Sequence, residues 1–400
     1  MSLEALPTPP CSKLPSNVLL PQSTIESFLL KGMCVVPLLS PGECANLLSE
    51  INEIITHRTH FVPHCGPPCT LSHLHDLNRS ICSRLSSTNG AGGVMDVHYD
   101  PALDKIRTDQ RIFSIISKLW QSSYGQSREG FELPPEVRKA FEFDKGYCTC
   151  DRICYRVPDD ISNLRGRKKR VTRCLTPHLD CCPDTIYSGV LDSGDGAAGG
   201  EGPPCRMWRP LQCFLCLTDS VEPDTGGFEC ASGYHRTFHQ WKETRNGGGV
   251  GSGGGGTACK GPFSSVRDKK ICEDIQHVDV AAGSLVIWDE KVPHSTALKH
   301  LGKDARVVIY LGFLPYGGCN KAWKEWERKC WEREEVWVGV NGQNGGGNWI
   351  SSKEEEGLSE VDRELRRRGF KKEKERHGRG GKVERLKEGL QRKLMGCQEW

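Results

Sequence analysis

The stretch GSLVIWDEKVPHS, residues 283–295, and the stretch ARVVIYLGFLP that follows it, residues 305–315, are the clearest indication of how this chain folds. Each contains a short apolar run bounded by polar or turn-forming residues, which is the pattern of a buried strand. Gly283 favours a turn before the first run, and His294 lies just after it. Arg306 lies at the start of the second run, where an arginine is costly unless it meets an anion. The two runs therefore predict two strands, with His294 and Arg306 as polar residues between them.

Similar short apolar runs, such as RICYRV and PLQCFLCLT, occupy most of the region from about residue 147 to residue 315. They are separated by glycine and proline, as in sandwiches or barrels of antiparallel strands. Two glycine-rich stretches, 193–204 and 246–256, interrupt the pattern and are expected to be mobile loops. We therefore expect a mainly β fold with flanking helices.

Two amphipathic helices are predicted ahead of the strands. In the first, STIESFLLK, Ser23 and Glu26 have the spacing of a capping box, and Gly32 is a helix-ending residue. The second begins after Ser40, which is expected to cap it together with Glu43. Apolar residues recur at helical spacing in both, so each should pack one face against the strands.

The chain divides into four predicted regions. A loose, proline-rich segment covers 1–22, and one domain of helices and strands covers 23–320. Residues 321–350 form a tryptophan-rich helical segment, and the charged residues 351–400 form a tail that is either a solvated helix or disordered. One stripe of the tryptophan-rich helix is expected to pack on the strands, and it consists of Trp323, Trp326, Cys330 and Trp337.

The 21 cysteines do not predict a disulfide framework. Their number is odd, and several lie in apolar runs such as LQCFLCL, where free cysteine behaves as a small buried hydrophobe. The first residues lack the basic start and apolar run of a secretory signal. No stretch approaches the ~20 apolar residues that span a bilayer. We expect a reduced, cytoplasmic protein without a membrane span.

The net charge of +3 is small for 400 residues, so it gives no strong signal for nucleic acid. The basic run RGRKKR, 165–170, is expected to be a solvated loop, with contact to an anionic substrate tail as the alternative. The Cys/His-rich stretch HCGPPCTLSHLH, 64–75, offers zinc ligands, but its spacing fits no common finger, so a loop is the favoured interpretation. Oligomeric state stays open.

The stretch TPHLDCC, 176–182, supplies the polar partners for the strands described first. In a strand, His178 and Asp180 project from the same face because they are two residues apart. Two histidines and one carboxylate form the facial triad that binds Fe(II) with open positions, and His294 is the second histidine. Arg306 is then a bidentate partner for a carboxylate beside the metal.

The order of these motifs resembles that of the phytanoyl-CoA dioxygenase-like family of Fe(II)/2-oxoglutarate oxygenases. The pieces that carry the resemblance are FLLKGMCVVPLLSPGEC, PHLD, LQCFLCLTDSVEPDTGGFECASGYH, GSLVIWDEKVPHS and ARVVIYLGFLP. They cover residues 24–320 in parts, and the region between the two histidines is lengthened by the glycine insertions. The resemblance implies a double-stranded β-helix of the cupin-like jelly-roll type.

The resemblance also implies chemistry. Fe(II) is held by His178, Asp180 and His294, and the co-substrate 2-oxoglutarate pairs with Arg306, helped by the hydroxyl of Thr296. With O₂, the products are succinate, CO₂ and a small-molecule or acyl-type substrate hydroxylated at a C–H bond. The carboxylate ligand argues against a halogenase.

Further binding residues are expected on the strands that flank the first ligands. Gln212 is the candidate for cofactor binding, and pocket candidates are Arg209, Tyr155 and Arg156. Two other functions stay open: a catalytically inactive jelly roll that binds a partner, and an oxygenase that acts on protein or nucleic acid.

Overall fold

The computed structural model of the protein describes residues 20–60, 93–159, 174–192, 203–244, 263, 268–333, 335–337, 370–372, 390–398 and 400. Several predictions fall outside the described residues: those for the N-terminal segment up to residue 19, for 64–75, 165–170 and 246–256, and for most of 193–204.

The described helices lie mostly before and after the strands. They are α1 (Gln22–Lys31), α2 (Pro41–His60), α3 (Pro101–Arg107), α4 (Gln110–Ser122), α5 (Pro135–Lys139), α6 (Phe238–Thr244), α7 (Lys269–Glu273), α8 (Gly318–Arg333) and α9 (Leu390–Leu394).

The strands follow the short apolar runs of the sequence. They are β1 (Met33–Pro37), β2 (Val94–Met95), β3 (Phe141–Thr149), β4 (Ile153–Arg156), β5 (Leu211–Cys216), β6 (Phe228–Cys230), β7 (Gln276–His277), β8 (Ser284–Asp289), β9 (His294–Thr296), β10 (Arg306–Gly317), β11 (Glu335–Trp337) and β12 (Phe370–Lys372).

Most of the described strands form two antiparallel sheets. The larger has the order β1-β8-β5-β10-β4-β2, and β3 pairs with the far end of the long strand β10. The smaller has the order β7-β6-β9, and β11 pairs separately with β12. Along the chain, β6, β7 and β9 of the small sheet alternate with β5, β8 and β10 of the large one, so the chain passes repeatedly between the two sheets. The expectation of antiparallel sheets with flanking helices is confirmed.

The two faces of the large sheet have different partners. Leu285, Ile287 and Leu215 are fully buried on the face that packs against the helices. Val286 and Phe214 lie on the other face, which we call the inner face because the small sheet covers it. The ring of Phe228 on β6 lies 5.6 Å from that of Phe214, so the sheets are in direct contact. The inner face is where a site can be enclosed between the sheets.

The two N-terminal helices test the predicted caps. Ser40 and Glu43 form the expected reciprocal box, since Ser40 N donates to the Glu43 carboxylate (2.8 Å) and Glu43 N to Ser40 Oγ (3.3 Å). The box at Ser23 is wrong, because helix α1 already begins at Gln22, after Pro21, with no side-chain cap. Gly32 ends that helix at φ 68°, and its N–H donates to Phe28 O.

The tryptophan stripe of α8 needs correction. The helix ends at Arg333, so Trp337 lies in strand β11 instead. Trp331 is the fully buried ring, and its Nε1 donates to the Asp104 carboxylate. Lys324 is buried on the same helix because its Nζ donates to Cys148 O (2.6 Å) on β3.

The end of the tail also differs from the prediction of a solvated or disordered segment. Leu394 and Met395 are fully buried, and Trp400 Nε1 donates to Gly146 O on β3 (2.9 Å). A few apolar residues at the end of a charged stretch are enough to dock it on the large sheet.

Several cysteines of the apolar runs are free thiols among the described residues. Cys34, Cys213 and Cys230 are buried and form no disulfide. Burial raises the pKa of Cys34 and of Cys230 to about 12, so both are neutral thiols at physiological pH.

None of the helices that the structure describes is long and apolar enough to cross a bilayer.

Candidate metal centre

The structure brings the three predicted metal ligands together. His178 and His294 form an antiparallel bridge in which each backbone N–H donates to the other's carbonyl at 3.0 Å. Asp180 lies two residues after His178. One ligand atom from each residue lies within 4.8 Å of the other two. The bridge explains the proximity, because it joins the segment of the first histidine to β9 exactly where the second one lies.

The rings of both histidines are oriented by backbone carbonyls. His178 Nδ1 lies 2.6 Å from Thr176 O, and His294 Nδ1 lies 3.0 Å from Val292 O. Since a carbonyl can only accept, each Nδ1 carries the proton and each Nε2 keeps its lone pair. These Nε2 atoms lie 3.7 and 3.8 Å from the two carboxylate oxygens of Asp180. Two nitrogen lone pairs and a carboxylate therefore converge, as metal ligation requires.

Electrostatics hold Asp180 and His294 in their ligating forms. Burial acts to raise the pKa of Asp180, but His294, His178 and Arg209 outweigh it and hold that pKa below its usual range. Burial, aided by His178, lowers the pKa of His294 to about 4, so this imidazole is neutral at pH 7. A carboxylate with neutral imidazoles is the protonation state in which these residues bind a metal.

Gln212 lies directly behind the carboxylate. Its Nε2 donates to Asp180 Oδ2 at 2.7 Å, from the inner face of β5. This contact holds the carboxylate oxygen that faces His294 Nε2. The structure thus gives Gln212 a role in positioning Asp180, which spacing alone did not indicate.

Aromatic rings enclose the deeper histidine. The ring centroids of Trp288 and Phe228 lie 5.1 and 5.9 Å from that of His294. The His294 side chain is 8% exposed, whereas Asp180 is 46% exposed. The centre therefore has an apolar wall on one side and an open approach on the other.

Arg306 lies on the inner face, fully enclosed. It is 2% exposed, and its guanidinium lies 5.2 Å from the centre of the Phe214 ring. One nitrogen lies 3.6 Å from Cys154 Sγ, and Nε has no hydrogen-bond partner among the described residues. No ion pair joins it to a carboxylate in the part of the chain that the structure describes. A buried, unmatched guanidinium is expensive, so an anionic ligand is the partner that fits.

Arg156, the other buried arginine of this region, forms hydrogen bonds with backbone carbonyls. Arg156 lies directly opposite Arg306 in the pairing of β4 with β10. Its guanidinium donates to the carbonyls of Gly226, Ala297 and Leu298, at 3.3, 2.6 and 3.2 Å. Arg156 therefore fastens the turn that follows β9.

Two further candidates have structural partners within the chain. Thr296 lies on β9 of the small sheet, where its Oγ1 accepts from the N–H of Leu175 at 2.8 Å. Its side chain thus helps hold the segment that leads to His178. Tyr155 lies on the opposite face of the large sheet and packs in the helix-covered core, not in the pocket.

Sequence reasoning missed Asp151 and Thr149. Arg209, which was expected near the pocket, donates to Asp151 Oδ2 at 2.9 Å. Burial acts to raise the pKa of Asp151, but Arg209 and Arg152 outweigh it and lower that pKa to about 2. Both missed residues lie in CTCDRIC. This stretch is distinguished by its cysteines, and no local pattern indicates a role for its polar residues.

Comparisons with known proteins agree on the fold. No family model matches the chain, and no curated protein does. The structure is similar to that of GlcNAc Inducible Gene 2, GIG2 (DUF1479), from Candida albicans, with a TM-score of 0.59 at 16% identity over 95% of this chain and 77% of that one. It is also similar to the hypothetical protein JW0805 from Escherichia coli, with a TM-score of 0.50 at 16% identity over 78% of this chain and 74% of that one.

A more distant likeness is to the non-heme alpha ketoglutarate dependent carbocyclase SnoK from nogalamycin biosynthesis. Its TM-score is 0.40 at 13% identity, over 74% of this chain and 84% of that one. At these identities the comparisons concern the fold alone, and the chemistry has to be argued from the residues of this chain.

Proposed function

We propose that the protein is an Fe(II)/2-oxoglutarate-dependent dioxygenase that hydroxylates a C–H bond of a small-molecule substrate, with succinate and CO₂ as co-products. We further propose that its two sheets form a double-stranded β-helix of the jelly-roll type. The motifs that resemble the phytanoyl-CoA dioxygenase-like family support the same conclusion.

One observation carries the proposal: two imidazole Nε2 atoms face the two oxygens of Asp180, while the Nδ1 of each ring lies within hydrogen-bonding distance of a backbone carbonyl. Two neutral imidazoles and one carboxylate suit Fe(II), and the set leaves coordination positions open for other ligands. When bound, Fe(II) and 2-oxoglutarate would supply O₂ activation and the oxidising equivalents for hydroxylation.

The residues present also fit an anionic co-substrate. Arg306 is buried without a carboxylate partner among the described residues, and its Nε is unpaired. A guanidinium in this state favours a carboxylate by charge-assisted hydrogen bonds. Arg306 would hold the far carboxylate of 2-oxoglutarate, and we retain Thr296 as the candidate hydroxyl because of its position in the family-like motif.

The remaining residues position these groups. Gln212 holds one oxygen of Asp180, and the carbonyls of Thr176 and Val292 hold the two rings. Trp288 and Phe228 cover His294 and exclude water from its side of the centre. The open side, next to the half-exposed Asp180, is where substrate would approach.

The test measures iron content and succinate formation in the purified protein. We expect one Fe(II) per chain, lost in His178→Ala and in His294→Ala, and succinate formation that nearly stops in Asp180→Asn. Cys182→Ser is the control, because Cys182 neighbours the ligands but supplies none of them. Unchanged iron in both histidine variants would show that the metal lies elsewhere, and activity lost only in Cys182→Ser would assign the chemistry to the cysteines.

A further inference from the structure

A row of four residues crosses the inner face of the large sheet at the level of Gln212. Strand register pairs Trp288 with Gln212, Gln212 with Gly312, and Gly312 with Thr149. The row therefore crosses β8, β5, β10 and β3, which is roughly 14 Å at ordinary strand spacing. Gln212 touches Asp180, so the row begins at the candidate metal centre.

Three members of this cross-strand row hold a buried polar atom that lacks a hydrogen-bond partner among the described residues. These atoms are Thr149 Oγ1, Gln212 Oε1 and Trp288 Nε1. The three residues are only 5%, 4% and 4% exposed. Buried polar groups are nearly always paired, because leaving one unpaired forfeits its interaction with water. Three such atoms in one row indicate a place for a ligand.

The fourth member, Gly312, leaves room for two neighbouring polar side chains. A Cβ at this position would lie 2.0 Å from Thr149 Oγ1 and 3.2 Å from Arg209 Nη1. Its backbone is not in the left-handed region, so conformational freedom does not explain the glycine. The missing side chain lets the Thr149 hydroxyl and the Arg209 guanidinium approach the row.

The unpaired atoms differ in hydrogen-bonding type. Gln212 Oε1 can only accept, Trp288 Nε1 can only donate, and the Thr149 hydroxyl can do both. A carboxylate or phosphate cannot serve Gln212 Oε1, and an ammonium cannot serve Trp288 Nε1. A hydroxyl both donates and accepts, so hydroxyl groups match all three atoms.

The charges near the row also favour a neutral ligand. Arg209 is the cation beside it, and Asp151 matches that charge at 2.9 Å. Asp180 is a second carboxylate within the electrostatic reach of Arg209. No cation is left unmatched for an anionic substrate at this end of the inner face, among the residues that the structure describes. Phe214 and Trp288 supply aromatic faces against which C–H groups can pack.

We propose that the cross-strand row of Thr149, Gln212, Gly312 and Trp288 is the substrate subsite, and that it binds a neutral, hydroxyl-rich molecule of the sugar or polyol type. This inference rests on the proposed function in one respect: it takes the bound ligand to be the compound that is hydroxylated. The recognition itself depends on the row, not on iron or on turnover.

The first test compares two threonine-to-valine substitutions in the free protein. Thr149→Val replaces an unpaired buried hydroxyl by a methyl group, so we expect Tm to rise by about 2–4 °C. Thr108→Val is the matched control, because Thr108 is equally buried but its hydroxyl donates to Asp104 O at 2.7 Å. That variant should lose stability. If Thr149→Val also lowers Tm, its hydroxyl is part of the structure and the subsite is wrong.

The second test measures binding of three pyranoses of different charge by calorimetry, without iron or 2-oxoglutarate. D-glucose should bind better than the anionic D-glucuronate and the cationic D-glucosamine. Thr149→Val and Trp288→Phe should each weaken D-glucose binding by about two- to tenfold, the value of one hydrogen bond. Equal or tighter binding of a charged sugar, or no binding of any of the three, overturns the proposal.

Failure of the proposed oxygenase function and failure of the proposed substrate subsite would give different results. If the protein holds no iron and forms no succinate but the threonine and sugar results hold, the row is a sugar-binding site of a protein that is not an oxygenase. If iron and succinate are found but D-glucuronate is preferred, the oxygenase stands and this substrate class is wrong.

Discussion

Replacing Arg306 by methionine should separate stability from co-substrate binding. In the free protein this guanidinium is buried, and its polar neighbours include the thiol of Cys154, at 3.6 Å, and the hydroxyl of Tyr310. The contact with the Phe214 ring at 5.2 Å contributes about 0.5–2 kcal/mol, while the unmatched charge opposes burial. Since these effects oppose each other, we expect Arg306→Met to leave the free energy of unfolding unchanged or to increase it.

Binding of 2-oxoglutarate should change in the opposite direction. A charge-assisted hydrogen bond contributes about 1.5–3 kcal/mol, and 1.4 kcal/mol is a factor of ten. The loss of Arg306 should therefore raise the Kd by roughly 10- to 150-fold. Calorimetric titration of the metal-loaded variant measures this directly, and iron content should stay near one per chain.

Arg156→Met is the matched comparison, since Arg156 lies opposite Arg306 in the same sheet. Its guanidinium serves three backbone carbonyls, so its removal should cost about 1–3 kcal/mol for each carbonyl left unpaired. We expect this variant to be clearly destabilised. An Arg306→Met protein that unfolds, or that binds 2-oxoglutarate as tightly as the wild type, would refute the assignment of the anion to Arg306.

Three further outcomes are expected. Burial and the neighbouring Asp289 raise the pKa of Glu290 to about 7, against the opposing charges of Lys291 and Arg206. Between about pH 4.5 and 7 the folded state thus holds a proton that the unfolded state has lost, so stability falls as pH rises, by about 3 kcal/mol in all. Glu290→Gln should remove this slope in denaturant unfolding at pH 5 and 7.5, while an unchanged slope would mean that another group titrates. Ser40→Ala should lower the free energy of unfolding by about 1 kcal/mol, because it removes the capping box at α2, and an unchanged denaturation midpoint would contradict that role. Deleting 246–256 should leave folding and iron binding intact, since a glycine-rich loop costs little to shorten, and a deletant that precipitates or loses its metal would show that these residues pack against the domain.

Local patterns were sufficient for the strands and for the pair of ligands. The apolar runs at 283–295 and 305–315 became β8 and β10, because each run is short, β-branched and bounded by turn residues. The expectation that His178 and Asp180 lie together came from the two-residue repeat of an extended backbone, although the structure forms only an isolated bridge at His178. The presence of His294 beside them could be inferred only from the combination of residue types, since their contact depends on a bridge between distant segments.

Predictions failed where distant backbone groups decide burial. On α8 the tryptophan stripe seemed to be the packing face, yet Lys324 and Glu327 are buried there. They are buried because Lys324 donates to Cys148 O and the Glu327 carboxylate accepts from Cys150 N, at the end of β3. Helical periodicity describes only the helix, and the polar groups that it must meet belong to another part of the chain.

The cross-strand row shows most clearly that local sequence patterns do not reveal contacts between distant segments. Thr149 lies in a cysteine-rich motif, Gly312 in an apolar strand, and Trp288 in another, so none of them has a local pattern that indicates binding. Only register makes them neighbours, and a shift of one residue in any pairing would turn a side chain to the opposite face. Register also explains why Gly312 is required, because the residue that fills this position must leave room for both Thr149 and Arg209. A related sequence with a larger residue at this position should therefore also differ at position 149 or 209, and such a chain would be expected to bind a different substrate at an otherwise unchanged metal centre.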